Sequence, residues 1–377
     1  MTIRHWKNQM FSFFSPQKKQ PGALSLLTPQ RFDIAAKLLY LKHYSRGKTS
    51  SFAKAAYLHH LEIFNSFFEK NTHSNEKQKK TKQHFVATFN SLIESLQIDG
   101  FDPKISKIWV NNQSQLLNGA HRVACAIYYD LPYQSENKAN RFGQLDCSWD
   151  FFVSQAMKKK IDIDRNYFDA IALEYLYYKR DNLFLVCVFP QADDKTESAT
   201  KYISEFAQIV YSKPITLNNN SANWLVSLFY LGEPWLGTWE NKHQGAQAKV
   251  DFCFPNMEPF MCYLVEAESV KKMLELKKRL RSYFGKDKHS VHITDDSNDL
   301  LRSAHFVFNN NSIENVSRHE GLTYQLAKHF RNKRRLHEHN GKKVFQINKS
   351  QLTEITNVEE VSNPNLYMYL VNTKIKV

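Results

Sequence analysis

With 377 residues, 42% of them hydrophobic and 14% aromatic, the chain has the length and apolar content for two or three folded domains, which excludes disorder as its default state. A formal net charge of +14 favours polyanionic partners, among them nucleotides, nucleotide sugars, nucleic acid and acidic membrane surfaces, without choosing between them. Cys125, Cys147, Cys187, Cys253 and Cys262 form no CxxC pair, no apolar run approaches the roughly 18 residues that span a bilayer, and no signal peptide is recognisable, so a cytoplasmic protein with buried thiols and no transmembrane segment is expected.

In chain order, residues 1–30 carry Pro16, Pro21, Gly22 and Pro29 without a sustained period and predict a loosely packed arm. Its Trp6, Phe11, Phe13 and Phe14 allow peripheral membrane contact, although packing onto the body is the better expectation. Apolar residues recur at helical spacing over 29–68 and 82–97, on either side of a charged loop at 71–82. Gly100 and Pro103 stop the second helical stretch; strands at 105–110 and 115–117 follow, joined by a turn at Asn111 and Asn112, and a helix starts at Gly119. Residues 149–179 read as helical, and 182–189 as a strand apolar enough to be buried on both faces. Beyond it, helices at 197–207, 222–230, 269–283 and 297–308 alternate with strands at 209–211, 260–266 and 290–294, which predicts an α/β fold with at least partly parallel pairing. The expected organisation is an arm (1–30), a nucleotide-binding domain with helical flanks (31–150) and a C-terminal α/β domain with a mixed sheet for a substrate or second ligand (151–377), the boundary falling between 145 and 180.

The densest chemistry lies at Asn118-Gly-Ala-His-Arg122, where a short strand runs into a helix. The first N–H groups of a helix lack internal acceptors and sit at the positive end of its dipole, which suits phosphate. Gly119 and Ala120 let backbone approach a ligand, and His121 and Arg122 add donors. An ordinary strand-to-helix junction with a surface arginine fits the same residues.

With its preceding strand, the segment Ile108-Trp-Val-Asn-Asn-Gln-Ser-Gln-Leu-Leu-Asn-Gly-Ala-His-Arg-Val-Ala-Cys-Ala126 resembles the ParB/sulfiredoxin superfamily of nucleotide-binding domains over residues 85–132. The resemblance implies that the turn holds the phosphates of ATP or another nucleotide. Sulfiredoxins carry a nucleophilic cysteine where Ala120 stands, and ParB proteins carry a second arginine where His121 stands and a following DNA reader that is missing here, so sulfinic-acid repair and DNA partition are disfavoured. The turn is most similar to the free amino-acid kinase branch, which usually reads Asp-Gly-His-His-Arg. Asn118 replaces the acid and cannot accept a proton, so the base would come from Glu94, Asp99 or Asp102, each of which reads equally as a solvated acid near a helix end.

A second constellation spans 285–296. Strand alternation places Ser290, His292 and Thr294 on one face, with Asp295 or Asp296 at the strand end, where α/β sheets receive ligands; a helix cap at Asp296 or Ser297 beside a core histidine is the simpler reading. The Gly-punctuated loop at 232–249 carries Lys242 and Lys249, the latter suited to a phosphate or carboxylate. This pairing is similar to bacterial proteins of cell-surface polysaccharide gene clusters. No zinc signature, Walker A motif, nucleophile elbow or dinucleotide fingerprint occurs, and no metal site is expected. The expectation is therefore a phosphotransferase using ATP or another nucleotide with Mg²⁺, with Lys249, His292, Thr294 and Asp295 at a small hydroxylated acceptor, in the context of surface-glycan synthesis. A nucleic-acid-binding or nuclease-like ParB relative, supported by the basic residues at 331–335, and a catalytically silent nucleotide sensor are the alternatives.

Overall fold

The computed structural model describes residues 22–45, 51–65, 81–102, 107–138, 145–192, 196–237, 241, 243–318, 337–339 and 342–344. The aromatic residues of the expected arm, most of the charged loop at 71–82, Lys242 and the basic cluster at 331–335 lie outside the described residues. Where the arm is described it is built into the body: short 3-10 turns at Ala23–Leu26 and Pro29–Arg31 bury Ala23, Leu26, Leu27 and Pro29.

Among the described residues the chain is mixed α/β with twelve α-helices. Helices α1 (Asp33–Ser45), α2 (Ser51–Phe64) and α3 (Lys82–Asp99) gather around α4 (Ala120–Tyr129), packing Tyr40, Tyr57, Phe89, Ile93 and Cys125 into one cluster. Gly100, at φ +71°, ends α3. Strand β1 (Ile108–Val110) lies between β2 (Leu116–Asn118), antiparallel to it, and β3 (Ser135–Asn137), parallel to it. The helical stretch expected over 149–179 is two helices, α5 (Trp149–Lys159) and α6 (Arg165–Lys179), divided where Lys160 takes a left-handed conformation (φ 53°).

The C-terminal half is built on β4 (Leu183–Val188), β5 (Gln208–Ile215), β6 (Phe260–Glu266) and β7 (Val291–Ile293), in the spatial order β5-β6-β4-β7 with every neighbouring pair antiparallel. The mixed sheet expected in this half is thus corrected: mixed pairing occurs only in the first, three-stranded sheet. The reason is topological. Helix α7 (Thr196–Phe206) links β4 to β5, and α10 (Val270–Phe284) links β6 to β7, and each linked pair runs in one direction. Strand β6 sits between the first pair and β4 between the second, which is the split β-α-β arrangement.

Both faces of this sheet are covered, and every residue of β4 is buried. Phe184, Val186, Val188, Val265 and Ile293 pack against α7 and α10. Leu185, Cys187, Cys262 and Leu264 face α6, α8 (Asn219–Phe229) and α11 (Ser297–Val307). Cys187 and Cys262 stand directly opposite in the ladder, with Sγ atoms 3.3 Å apart. Helices α9 (Gly245–Cys253) and α12 (Asn310–Arg318) complete this layer, and a separate antiparallel pair joins β8 (His337–His339) to β9 (Lys342–Val344). The core runs without a break across residue 150: Phe32 stacks on Phe168 at 6.5 Å and on Tyr211 at 6.2 Å.

Two buried ion networks stitch these layers. Asp33 accepts from Arg31 at 2.9 and 3.1 Å and from Lys37 Nζ at 2.8 Å, while Arg31 also donates to the Leu116 carbonyl at 2.8 Å and Lys37 lies 3.3 Å from His60 Nε2. On the sheet, Lys213 Nζ reaches Asp169 at 2.6 Å and Asn310 at 2.7 Å, and Tyr211 donates to the same carboxylate at 2.9 Å.

Burial alone would raise the Asp33 carboxyl, but the adjacent Arg31 and Lys37 hold it far below the usual carboxylate range. Burial and then Lys37 hold His60 well below its ordinary value of 6.5, so the ring is neutral. Both groups are depressed, and both therefore contribute stability that fades on acidification: His60 as pH falls below 6.5, Asp33 as it falls below 3.8. Asp33→Asn is expected to cost about 3–5 kcal/mol by leaving two buried cations uncompensated, and to flatten the lower part of the acid limb. Urea unfolding followed across the acid range measures both effects.

Candidate functional site

The strand-to-helix turn is formed as the residue pattern requires. Gly119 caps α4 in the left-handed region (φ 107°, ψ 22°) with no side-chain cap, and no acidic residue occupies the first turn. A Cβ at position 119 would lie 3.4 Å from Arg122 Nε, 3.5 Å from its Nη2 and 3.5 Å from Ile108, so the guanidinium is folded over the glycine. Arg122 Nη1 anchors on the Lys107 carbonyl at 2.9 Å. Asn118 is exposed at the end of β2, and Ala120 is buried.

His121 is held by aromatic residues of the neighbouring helices. Its Nε2 lies 2.8 Å from Tyr57 Oη, and its ring meets the edge of Phe89 at 4.6 Å. Burial pushes the Tyr57 phenol far above its ordinary value, so the hydroxyl keeps its proton beside the His121 ring. The turn thus combines a helix start, a guanidinium and an oriented imidazole, a donor set suited to an anion. The candidate bases are arranged differently. Glu94 accepts from Tyr44 at 2.6 Å on an exposed face of α3, and Asp99 accepts from Ser95 at 3.4 Å. Asp102 is exposed in the link that leads to Lys107.

Of the four residues expected at the acceptor, the structure brings Lys249 and His292 to one side chain, Tyr230. His292 lies flat on Phe229 at 4.0 Å and 5.4 Å from the Tyr230 ring, with Nε2 3.4 Å from Asp299 Oδ2. Ser303 Oγ donates to the other oxygen of that carboxylate at 3.2 Å. Lys249 Nζ stands 5.5 Å over the Tyr230 ring, donates to the Lys288 carbonyl at 2.6 Å and lies 3.5 Å from His289 Nδ1. Cys253, one turn along α9, places Sγ 3.9 Å from the same nitrogen. Thr294 and Asp295 are employed elsewhere. Thr294 Oγ1 accepts from the Leu185 amide at 2.9 Å and extends the sheet pairing, while Asp295 is exposed and bridges to Lys277 at 3.1 Å. Asp296 caps α11 through the amides of Asn298 and Asp299.

Burial, followed by the charges of Lys288 and Arg281, lowers the affinity of Lys249 for its proton. Burial pushes the Cys253 thiol up to about 11, which keeps it protonated at neutral pH and unsuited to nucleophilic attack. Burial and then Lys249 and Lys288 lower His289, leaving a neutral ring. Tyr230, Asp299, Cys253 and Arg281 were not singled out as ligand contacts by sequence reasoning. The strand alternation that placed His292 on a common face with Ser290 and Thr294, and Lys249 in its Gly-punctuated loop, were the local pointers toward this cluster.

The loop over Tyr230 is fixed by a close backbone approach. A Cβ at Gly245 would fall 2.0 Å from the carbonyl oxygen of Trp235, whose ring packs 5.0 Å from Tyr230. Gly245→Ala is expected to separate α9 from the Pro234–Leu236 turn, lower stability by about 1–3 kcal/mol and alter tryptophan emission. Thermal melts followed by fluorescence test this, and an unchanged melt would mean that the contact is not required.

No family model, curated protein or solved structure matches the chain.

Proposed function

We propose that the chain is a nucleotide-dependent phosphotransferase that binds the phosphates of ATP or another nucleotide at Asn118–Arg122 and acts on a small hydroxylated acceptor. The observation that carries the reading is the turn itself: an α4 start without a side-chain cap or first-turn acid, a left-handed glycine, and the Arg122 guanidinium folded across it. The resemblance of this segment to the ParB/sulfiredoxin superfamily supports the same ligand. Mg²⁺ would arrive with the phosphates and offset their charge.

In this reading the helix-start amides and Arg122 stabilise charge on the phosphoryl group as the bond to the leaving nucleotide breaks and the bond to the acceptor oxygen forms. The hydroxyl proton passes to a carboxylate. Asn118 cannot take it, while Glu94 and Asp99 are engaged with Tyr44 and Ser95. Glu94, Asp99 or Asp102 supplies the carboxylate, and all three have partners in the structure.

Arg122→Ala is expected to abolish nucleotide binding in calorimetric titrations with ATP, ADP and CTP, at a stability cost of about 1 kcal/mol for the lost bond to Lys107. Unchanged affinity would overturn the nucleotide reading. Affinity that collapses steeply with salt for long polynucleotides, with none for mononucleotides, would favour a nucleic-acid ligand instead. Replacing Glu94, Asp99 and Asp102 one at a time by the amide is expected to slow turnover by on the order of a hundredfold at one of the three positions while sparing nucleotide affinity, as measured by single-turnover phosphoryl transfer.

A further inference from the structure

The cluster beneath Tyr230 contains a cation that nothing described neutralises. Lys249 is only 8% exposed, yet no carboxylate among the described residues forms an ion pair with it; its contacts are the Lys288 carbonyl, His289 Nδ1, the protonated Cys253 thiol and the Tyr230 ring. Removing an ammonium from water without a counter-charge is costly. Arg281 compounds the imbalance. Its one hydrogen bond is a long 3.4 Å contact to the Val291 carbonyl, and its Nε is buried with no partner. Its charge bears on Lys249, Cys253, Tyr230 and His289 alike.

The surrounding acids do not cancel this charge. Asp299 is occupied by His292 and Ser303, Asp295 by Lys277, and Asp287 bears on Lys249 from an exposed position without forming an ion pair. Two cationic side chains beside a neutral histidine match the charge of about −1.5 to −2 on a phosphate monoester better than the single charge of a carboxylate. Trp235 and Phe252 are 46% and 60% exposed, with rings 5.0 Å from Tyr230 and 4.8 Å from His289, and they supply an apolar rim for the group that carries the phosphate.

We propose that Lys249, Arg281 and His289 form a binding site for the phosphate of a small ring-bearing phosphate monoester. The site is independent of the Gly119 turn and stands whether or not that turn binds a nucleotide.

The test uses the full chain carrying Arg122→Ala, so that phosphate capture at the turn does not contribute. Calorimetry is performed with inorganic phosphate, glucose 6-phosphate, glucose and malonate. Glucose 6-phosphate is expected to bind more tightly than inorganic phosphate, and glucose not to bind. Adding Lys249→Gln should weaken phosphate binding by about tenfold to a hundredfold, the loss of a charge-assisted contact, while Lys249→Arg retains most of it. Arg281→Gln should weaken it similarly, and covers the case in which Lys249→Gln fails to fold. Absence of saturable phosphate binding, equal affinity with and without Lys249→Gln and Arg281→Gln, or malonate binding tighter than phosphate would each overturn the proposal.

Discussion

The carboxylate of Asp33 is the point on which the N-terminal half depends. It holds Arg31, which in turn grips the carbonyl of Leu116, so the strand that ends at Asn118 is fixed to the first turn of α1 through one buried guanidinium. Lys37 extends the network to His60 on α2, whose ring packs at 5.3 Å from Tyr57, and Tyr57 orients His121. The arrangement of the Gly119 turn is therefore set from below by a chain of buried polar contacts. Such networks add little net stability compared with apolar packing, but each missing member leaves a buried charge, which makes the arrangement specific.

The Asp169 and Lys213 pair plays the corresponding part in the sheet. Lys213 lies between Tyr211 and Ile215 on the face of β5 that turns toward α6, a place where alternation alone would put an apolar residue. Its ammonium joins α6, β5 and α12, and the Trp149 indole donates to Ser212 at 3.1 Å beside it. The layer that contains Tyr230 thus rests on a sheet whose inner face is held by a charge pair as well as by hydrocarbon.

Local pattern carried much of the fold. Helices α7, α8, α10 and α11 and the buried strands β4 and β6 fall where apolar periodicity places them, because both signals depend only on neighbouring residues, whereas α9 begins inside a stretch that reads as a loop and α12 was not read at all. Strand β5 runs from Gln208 to Ile215 although only 209–211 read as strand, since Lys213 and Pro214 interrupt the apolar run and the acid that accepts Lys213 is far away in the chain. Strand direction was not legible for a similar reason: a strand buried on both faces looks the same with parallel or antiparallel neighbours. At the candidate sites, Gly119 announced its left-handed turn. The meeting of Lys249 and His292 at Tyr230 did not show, because it depends on α9 folding back under the Trp235 turn.

The strand order also determines when the sheet can assemble. Strand β4 pairs only with β6 and β7, so Cys187 waits for a partner 75 residues further along the chain. No two neighbours in this sheet are joined by a tight hairpin, and the loop-closure cost is met before any ladder forms. During synthesis the six apolar residues of β4 emerge well before the strands that cover their edges. Until β6 arrives, α6 and α7 are the elements close enough in sequence to shield it, which gives these two helices a protective task in the nascent chain distinct from their packing in the finished one.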